Sequence, residues 1–146
     1  MVHLIAGIAL LLGALFTGAA LYISLVEHPA RMSCGTELAA REWRPSYERA
    51  TPMQASLAVG AALTGIATWV HGEGVLWLIG GLMVFLVVPF TLLVIRPINQ
   101  LLLAPGRDLT TPETRQLLQR WGRLHAIRSA LGSAACLVYT YAIRHL

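Results

Sequence analysis

Three stretches of this chain carry no charged side chain: residues 1–26, 50–72 and 74–95, runs of 26, 23 and 22 residues. About 20 apolar residues of helix span the hydrocarbon core of a bilayer, and only helices and closed barrels satisfy their backbone there. The expected fold class is therefore an all-α integral membrane protein in a single domain over residues 1–146. A formal net charge of +4, taken alone, suggests a nucleic-acid partner. A nucleic-acid surface needs clustered cations facing water, and a chain that is 56% hydrophobic and 12% charged does not supply one. No nucleic-acid binding is expected; the lipid bilayer is the first partner.

The first span is expected at about 4–26. It lacks the basic n-region of a signal peptide and is longer than the usual apolar core of one, so it reads as a retained helix. The second span is expected at about 53–70, with Pro52 at its start. His71-Gly72-Glu73-Gly74 is a tight helix–helix turn. The third follows at about 75–95, where Arg96-Pro97 is expected to stop it. The fourth, at about 124–143, brings His125 and Arg128 into the end of a helix.

Between these spans, Thr36–Arg41 reads as a short loop helix with Thr36 as N-cap, interrupted at Pro45. Thr111-Pro112-Glu113 is a helix start with a capping hydroxyl, a proline at N1 and an early acid. No breaker follows it, so the last helix is expected to extend well beyond the membrane. The resulting architecture is an up-down four-transmembrane-helix bundle.

Arginine counting orients the bundle. The connections after the first and third spans hold ten Arg between them, four (Arg31, Arg41, Arg44, Arg49) and six (Arg96, Arg107, Arg115, Arg120, Arg123, Arg128), against Arg144 alone on the opposite side. Both long connections are expected in the cytoplasm and both termini on the non-cytoplasmic side, in a bacterial inner membrane.

The polar residues of the spans gather at one depth. His28 ends the first span and Gln54 begins the second; Thr91, Arg96 and Asn99 end the third; His125 and Arg128 open the fourth. Trp121, His125, Arg128, Gly132, Cys136 and Tyr139 recur at steps of three and four and share a helix face, as do Thr17, Leu21, Ser24 and His28. Ionisable groups at membrane depth normally face the bundle interior or a wet cavity.

Each of these residues also has a plainer reading. Arg128 can snorkel to the interface, and His28 can be an interfacial residue before Pro29. A metal shared by His28 and His125 is an option, but two His without a ligand-pair spacing are weak support. His28, Met32 and Cys34 are soft-ion ligand types close in sequence, for which loop coincidence is the simpler account. Cys34 and Cys136 fall toward opposite sides of the membrane and are not expected to pair. Gly7, Gly13, Gly18, Gly60, Gly65, Gly80, Gly81 and Gly132 suit close helix packing. Trp43, Trp69, Trp77 and Trp121 suit interfacial anchoring.

Particular strings carry a resemblance. Gly18-Ala19-Ala20-Leu21-Tyr22 precedes His28-Pro29-Ala30-Arg31, and Arg49-Ala50 precedes Met53-Gln54-Ala55. Pro89-Phe90-Thr91 precedes Arg96-Pro97-Ile98-Asn99-Gln100-Leu101-Leu102, and Leu117-Leu118 precedes Trp121-Gly122 and His125-Ala126-Ile127-Arg128. Together these resemble the anthrone-oxygenase-like family of small four-span membrane proteins, over nearly the whole chain. The resemblance implies oxidation of anthrones to anthraquinones, a monooxygenase-like reaction, with no cofactor beyond O₂. Where fungal members of that family commonly have Asn, this chain has His125.

Such chemistry needs a base for an acidic C–H and donors for the enolate that forms. His125, Arg128 and Asn99 are the expected catalytic group, with His125 as base and the other two on the oxyanion. His28, Gln54, Thr91, Trp121 and Tyr22 are expected to bind the substrate, a lipophilic small molecule entering sideways from the bilayer; His28 is also a second candidate base. Two other classes fit the same residues: a non-catalytic protein that binds or carries a lipophilic ligand, and an accessory subunit whose Arg-rich face meets anionic lipid or a partner. A homo-oligomer is compatible with either.

Overall fold

The computed structural model describes residues 1–146. It is all-helical, with four long helices: α1 (Val2–Ser33), α2 (Thr36–Val70), α3 (Leu76–Leu102) and α4 (Pro112–His145). All four are long and apolar enough to cross a membrane. Each helix packs on its sequence neighbours and α4 closes the ring against α1, giving an up-down bundle. The α2–α3 turn is the tight one expected, with Gly72 at φ 95°, a left-handed conformation that glycine adopts at little cost. At the opposite end α3 and α4 are joined by residues 103–111. The α4 start is capped as expected: the Thr111 hydroxyl accepts from the Thr114 N–H at 3.2 Å.

Two expectations about helix ends are corrected. Pro45 does not interrupt a loop helix; α2 runs unbroken from Thr36 through both Pro45 and Pro52, and Gly35 rather than Thr36 is its N-cap. The carbonyls that lose a donor to these prolines belong to the exposed residues Arg41 and Glu48, and the i,i+4 pairs Glu37–Arg41 (2.8 Å) and Arg44–Glu48 (3.0 Å) support the same turns. The connection between the first two spans therefore shrinks to Cys34-Gly35.

Nor does Arg96-Pro97 stop α3, which continues to Leu102. The device is a π-helical segment, Thr91–Ile95, just before the proline. Helix α1 has its counterpart in Ile23–Glu27, just before His28-Pro29. A proline ring clashes with the carbonyl four residues back. Those carbonyls belong to Leu25 and Leu93, inside the two π segments, and the widened turn relieves the clash without ending the helix.

Lipid tails are as apolar as leucine, so helices in a membrane associate through close packing rather than hydrophobic burial. Away from the Arg-rich end the core follows that rule. Ala6, Ala9, Ala58, Ala61, Ala62, Ala135 and Ala142 are all buried, around the large side chains Phe16, Trp77 and Tyr139. Tyr139 lies where three helices meet: a Cβ at Gly65 or Gly80 would collide with its ring, and one at Gly13 would touch it at 3.4 Å. Trp77 stacks on it at 5.4 Å. Gly132 makes room for Phe16 and Gly60 for Leu12, whereas Gly7 and Gly18 meet nothing. Of the four tryptophans only Trp69 is exposed; Trp43, Trp77 and Trp121 are packed inside, which corrects their reading as anchors.

Candidate functional site

A cavity of about 160 Å³ lies toward the Arg-rich end of the bundle, between the alanine-rich core and a second apolar cluster. Both π segments border it, through Ile23 on α1 and through Thr91, Leu92 and Ile95 on α3. Its exposed members are Thr51 and Ala55 on α2 and Leu92 on α3, so its mouth is on the side wall between these two helices.

Six of the eight residues singled out from the sequence line this cavity: Gln54, Thr91, Asn99, Trp121, His125 and Arg128. They arrive from three helices because those helices run antiparallel and each contributes its Arg-rich end. His28 does not line it. It is buried behind the wall, its ring 5.1 Å from that of Trp121, over Gly122, where a Cβ would come within 2.5 Å of its Cδ2 and Nε2. Tyr22 does not line it either: it is 57% exposed on the outer surface of α1. One helical step of about 100° from Leu21 carries it off the inward face that Thr17, Leu21, Ser24 and His28 define.

The polar groups of the wall are poorly satisfied by the protein. Both side-chain polar atoms of Gln54, the Asn99 Oδ1, the Trp121 Nε1 and the Arg128 Nε are buried without a hydrogen-bond partner. The Thr91 hydroxyl, in contrast, donates to the Val87 carbonyl at 2.7 Å. Arg128 has no acidic partner; its guanidinium carbon sits 5.2 Å from the centre of the Phe16 ring, so it turns inward rather than snorkelling. Trp121 stacks on His125 at 4.8 Å and 26°, and Trp43 meets Trp121 edge-on at 5.8 Å.

Spacing alone did not reveal two further clusters. His125 Nδ1 lies 3.0 Å from the Ser24 hydroxyl, which lies 2.8 Å from the Ser129 hydroxyl. Ser129 follows His125 by one helical turn, which is the signal that could have found it. Nearer the α1–α2 junction, Arg31 pairs with Glu27 and with Glu42 (2.6 Å), and Ser46 donates to Glu27 at 2.6 Å. Arg31 also lines the cavity, but its charge is answered by two carboxylates and that of Arg128 by none. No group of three or more His, Cys, Asp or Glu side chains is gathered as a metal would require, and Cys34 and Cys136 are both free.

Fold and site together define a class: a small four-helix membrane-type protein with an aromatic-walled cavity inside the bundle, holding unpaired polar groups and one unopposed cation. Residues 43–138 match the model of the anthrone oxygenase family, and the chain belongs to that family. It is similar to the anthrone oxygenase tpcL of Aspergillus fumigatus, with 30% identity over 131 residues covering 83% of this chain and 81% of that protein. No solved structure matches it.

Proposed function

We propose that this protein is a membrane-embedded oxygenase that takes a flat, lipophilic, anthrone- or quinol-like substrate into the cavity beside Trp121. The observation that carries the reading is the set of buried, unpaired polar atoms on Gln54, Asn99, Trp121 and Arg128 around an apolar space. Leaving a buried polar atom unpaired costs about 1–3 kcal/mol, and a ligand bearing ring oxygens would satisfy several at once. Family membership supports the oxygenase class, and the relative's being an anthrone oxygenase supports an anthrone as the first substrate to test.

In this reading His125 takes a proton from the acidic methylene of the substrate. Arg128 and Asn99 stabilise the negative charge that develops on the conjugated oxygen, which is worth most in a site that excludes water. Trp121 offers an aromatic face, Gln54 orients the ring oxygens, and Thr91, whose proton goes to Val87, accepts from a ring hydroxyl. The electron-rich enolate reacts with O₂. One oxygen atom becomes the new carbonyl oxygen, and the other leaves as water with the two methylene hydrogens. The side mouth at Thr51, Ala55 and Leu92 suits delivery from the membrane, with the Arg-rich end in the cytoplasm.

Anthrone oxidation by the purified protein, followed by anthraquinone absorbance and oxygen uptake, tests the proposal. His125→Ala and Arg128→Ala are expected each to lower turnover by about 10²-fold or more. Folded variants with undiminished turnover would overturn it.

A further inference from the structure

Behind His125 four polar atoms form a chain in which the direction of every hydrogen bond follows from counting protons. The Ser129 hydroxyl lies 3.0 Å from the Ala20 carbonyl and 3.0 Å from the His125 carbonyl. Carbonyl oxygens only accept, so the one Ser129 proton goes to one of these two. Ser129 can then only accept from Ser24, 2.8 Å away. With the Ser24 proton committed to that bond, the Ser24 oxygen can only accept from His125 Nδ1, 3.0 Å away. The opposite direction would leave two buried oxygen–oxygen approaches of 3.0 Å with no proton between them. A helical serine commonly returns its proton to the carbonyl four residues back, which for Ser24 is Ala20. Here the Ser129 hydroxyl approaches that carbonyl, and Ser24, inside the π segment Ile23–Glu27, turns toward α4 instead.

A neutral imidazole carries one ring proton, and the partner of one nitrogen decides which nitrogen holds it. We propose that Ser24 and Ser129 are positioning residues that hold His125 as its Nδ1–H tautomer, so that Nε2 faces the cavity as a lone pair. Nε2 makes no hydrogen bond within the protein and is not among the sealed-off buried atoms. The inference rests on the functional reading above for the identity of the acid. The C–H proton moves to Nε2, its electron pair stays on the substrate as the enolate, and the imidazolium keeps its Nδ1–H on Ser24. No other group need move.

The test is ¹⁵N NMR of histidine-labelled protein in lipid nanodiscs, with His125→Asn assigning the ring signals, combined with steady-state turnover of anthrone. The native ring is expected to show a protonated Nδ1 and an unprotonated Nε2. Ser24→Ala should lose this preference and lower kcat about tenfold, part of the 10²–10⁴-fold that a positioned base contributes, with KM unchanged; Ser24→Thr should restore both. Ser129→Ala frees the Ser24 proton to turn onto Nδ1, so it should reverse the tautomer and lower kcat likewise, and it serves where Ser24→Ala does not fold. A native Nε2–H ring, or serine variants with native tautomer and kcat, would overturn the inference. Absence of anthrone turnover by the native protein would instead overturn the function proposed above, and the native and variant spectra would then decide the positioning role alone.

Discussion

Tyr139 reaches from α4 across the bundle and donates its hydroxyl to the Ala61 carbonyl of α2 at 2.8 Å. Glycines on α1, α2 and α3 leave room for its ring, so this one side chain stitches all four helices together on the side of the cavity away from the Arg-rich end. The site is thus built on a tightly closed half.

Tyr139→Phe should therefore destabilise the bundle by about 1 kcal/mol, the net worth of one hydrogen bond, without changing ligand binding. Gly80→Ala should cost more, about 1–3 kcal/mol, because the new methyl group must displace the ring. Unfolding of the two variants in mixed micelles measures both, and equal effects would contradict the packing of Gly80 on the Tyr139 ring.

Removing polar atoms from the cavity should have the opposite sign. Gln54→Leu replaces two unpaired buried atoms with an apolar side chain of similar size, and it should raise the stability of the ligand-free protein by about 1 kcal/mol. The same change should weaken anthrone binding by roughly tenfold, the loss of about one hydrogen bond to the ligand. A variant both less stable and equally able to bind would show that Gln54 serves the fold.

Gly122→Ala places a methyl group on the His28 ring, at 2.5 Å from its Cδ2 and Nε2. His28 backs Trp121, so the displacement should reach the cavity wall. A loss of about 1–3 kcal/mol is expected, with a rise in KM. Gly18→Ala, where the added Cβ meets nothing, should change neither.

Asp108 lies in the α3–α4 connection, fully exposed, and accepts from the Thr110 hydroxyl at 2.7 Å and the Thr110 N–H at 2.8 Å. These bonds, the hydroxyl one first, hold its carboxyl below the ordinary value. A depressed folded-state pKa means the stabilisation is present above the ordinary aspartate pKa of about 3.9 and is lost as pH falls through the lower folded value. Hydrogen exchange at the Thr110 amide should quicken in that acid range. Asp108→Asn should abolish the pH dependence.

The number of spans, their antiparallel order and the convergence of Gln54, Thr91, Asn99, His125 and Arg128 at one end of the bundle could all be read from the sequence. Charge-free runs, arginine asymmetry and three–four spacing each report directly on what a bilayer tolerates. Helix ends were less legible, because proline reads as a breaker. Pro29 and Pro97 instead follow widened turns that absorb them, and Pro45 and Pro52 sit in a helix whose flanking turns carry Glu–Arg pairs. Within the site, scarcity of polar residues pointed to Gln54, Asn99, His125 and Arg128. It could not show that His28 stands behind Trp121, nor that Ser24 and Ser129 meet, since contacts between residues about 100 apart depend on how α1 and α4 rotate against each other. Tyr22 stands apart from the cavity for a simpler reason: its helical phase turns it to the outer surface of α1.

The cavity opens on the side of the bundle, between Thr51, Ala55 and Leu92, rather than at its end. Under the proposed function, an enzyme with such a doorway samples a two-dimensional solution. The concentration that governs its saturation is the mole fraction of substrate among lipids, and the volume of water around the membrane matters only through partitioning. Apparent KM values, expressed as total substrate, should therefore rise in proportion to added lipid or detergent, and two equally reactive anthrones should be ranked by their oil–water partition before any contact inside the cavity distinguishes them.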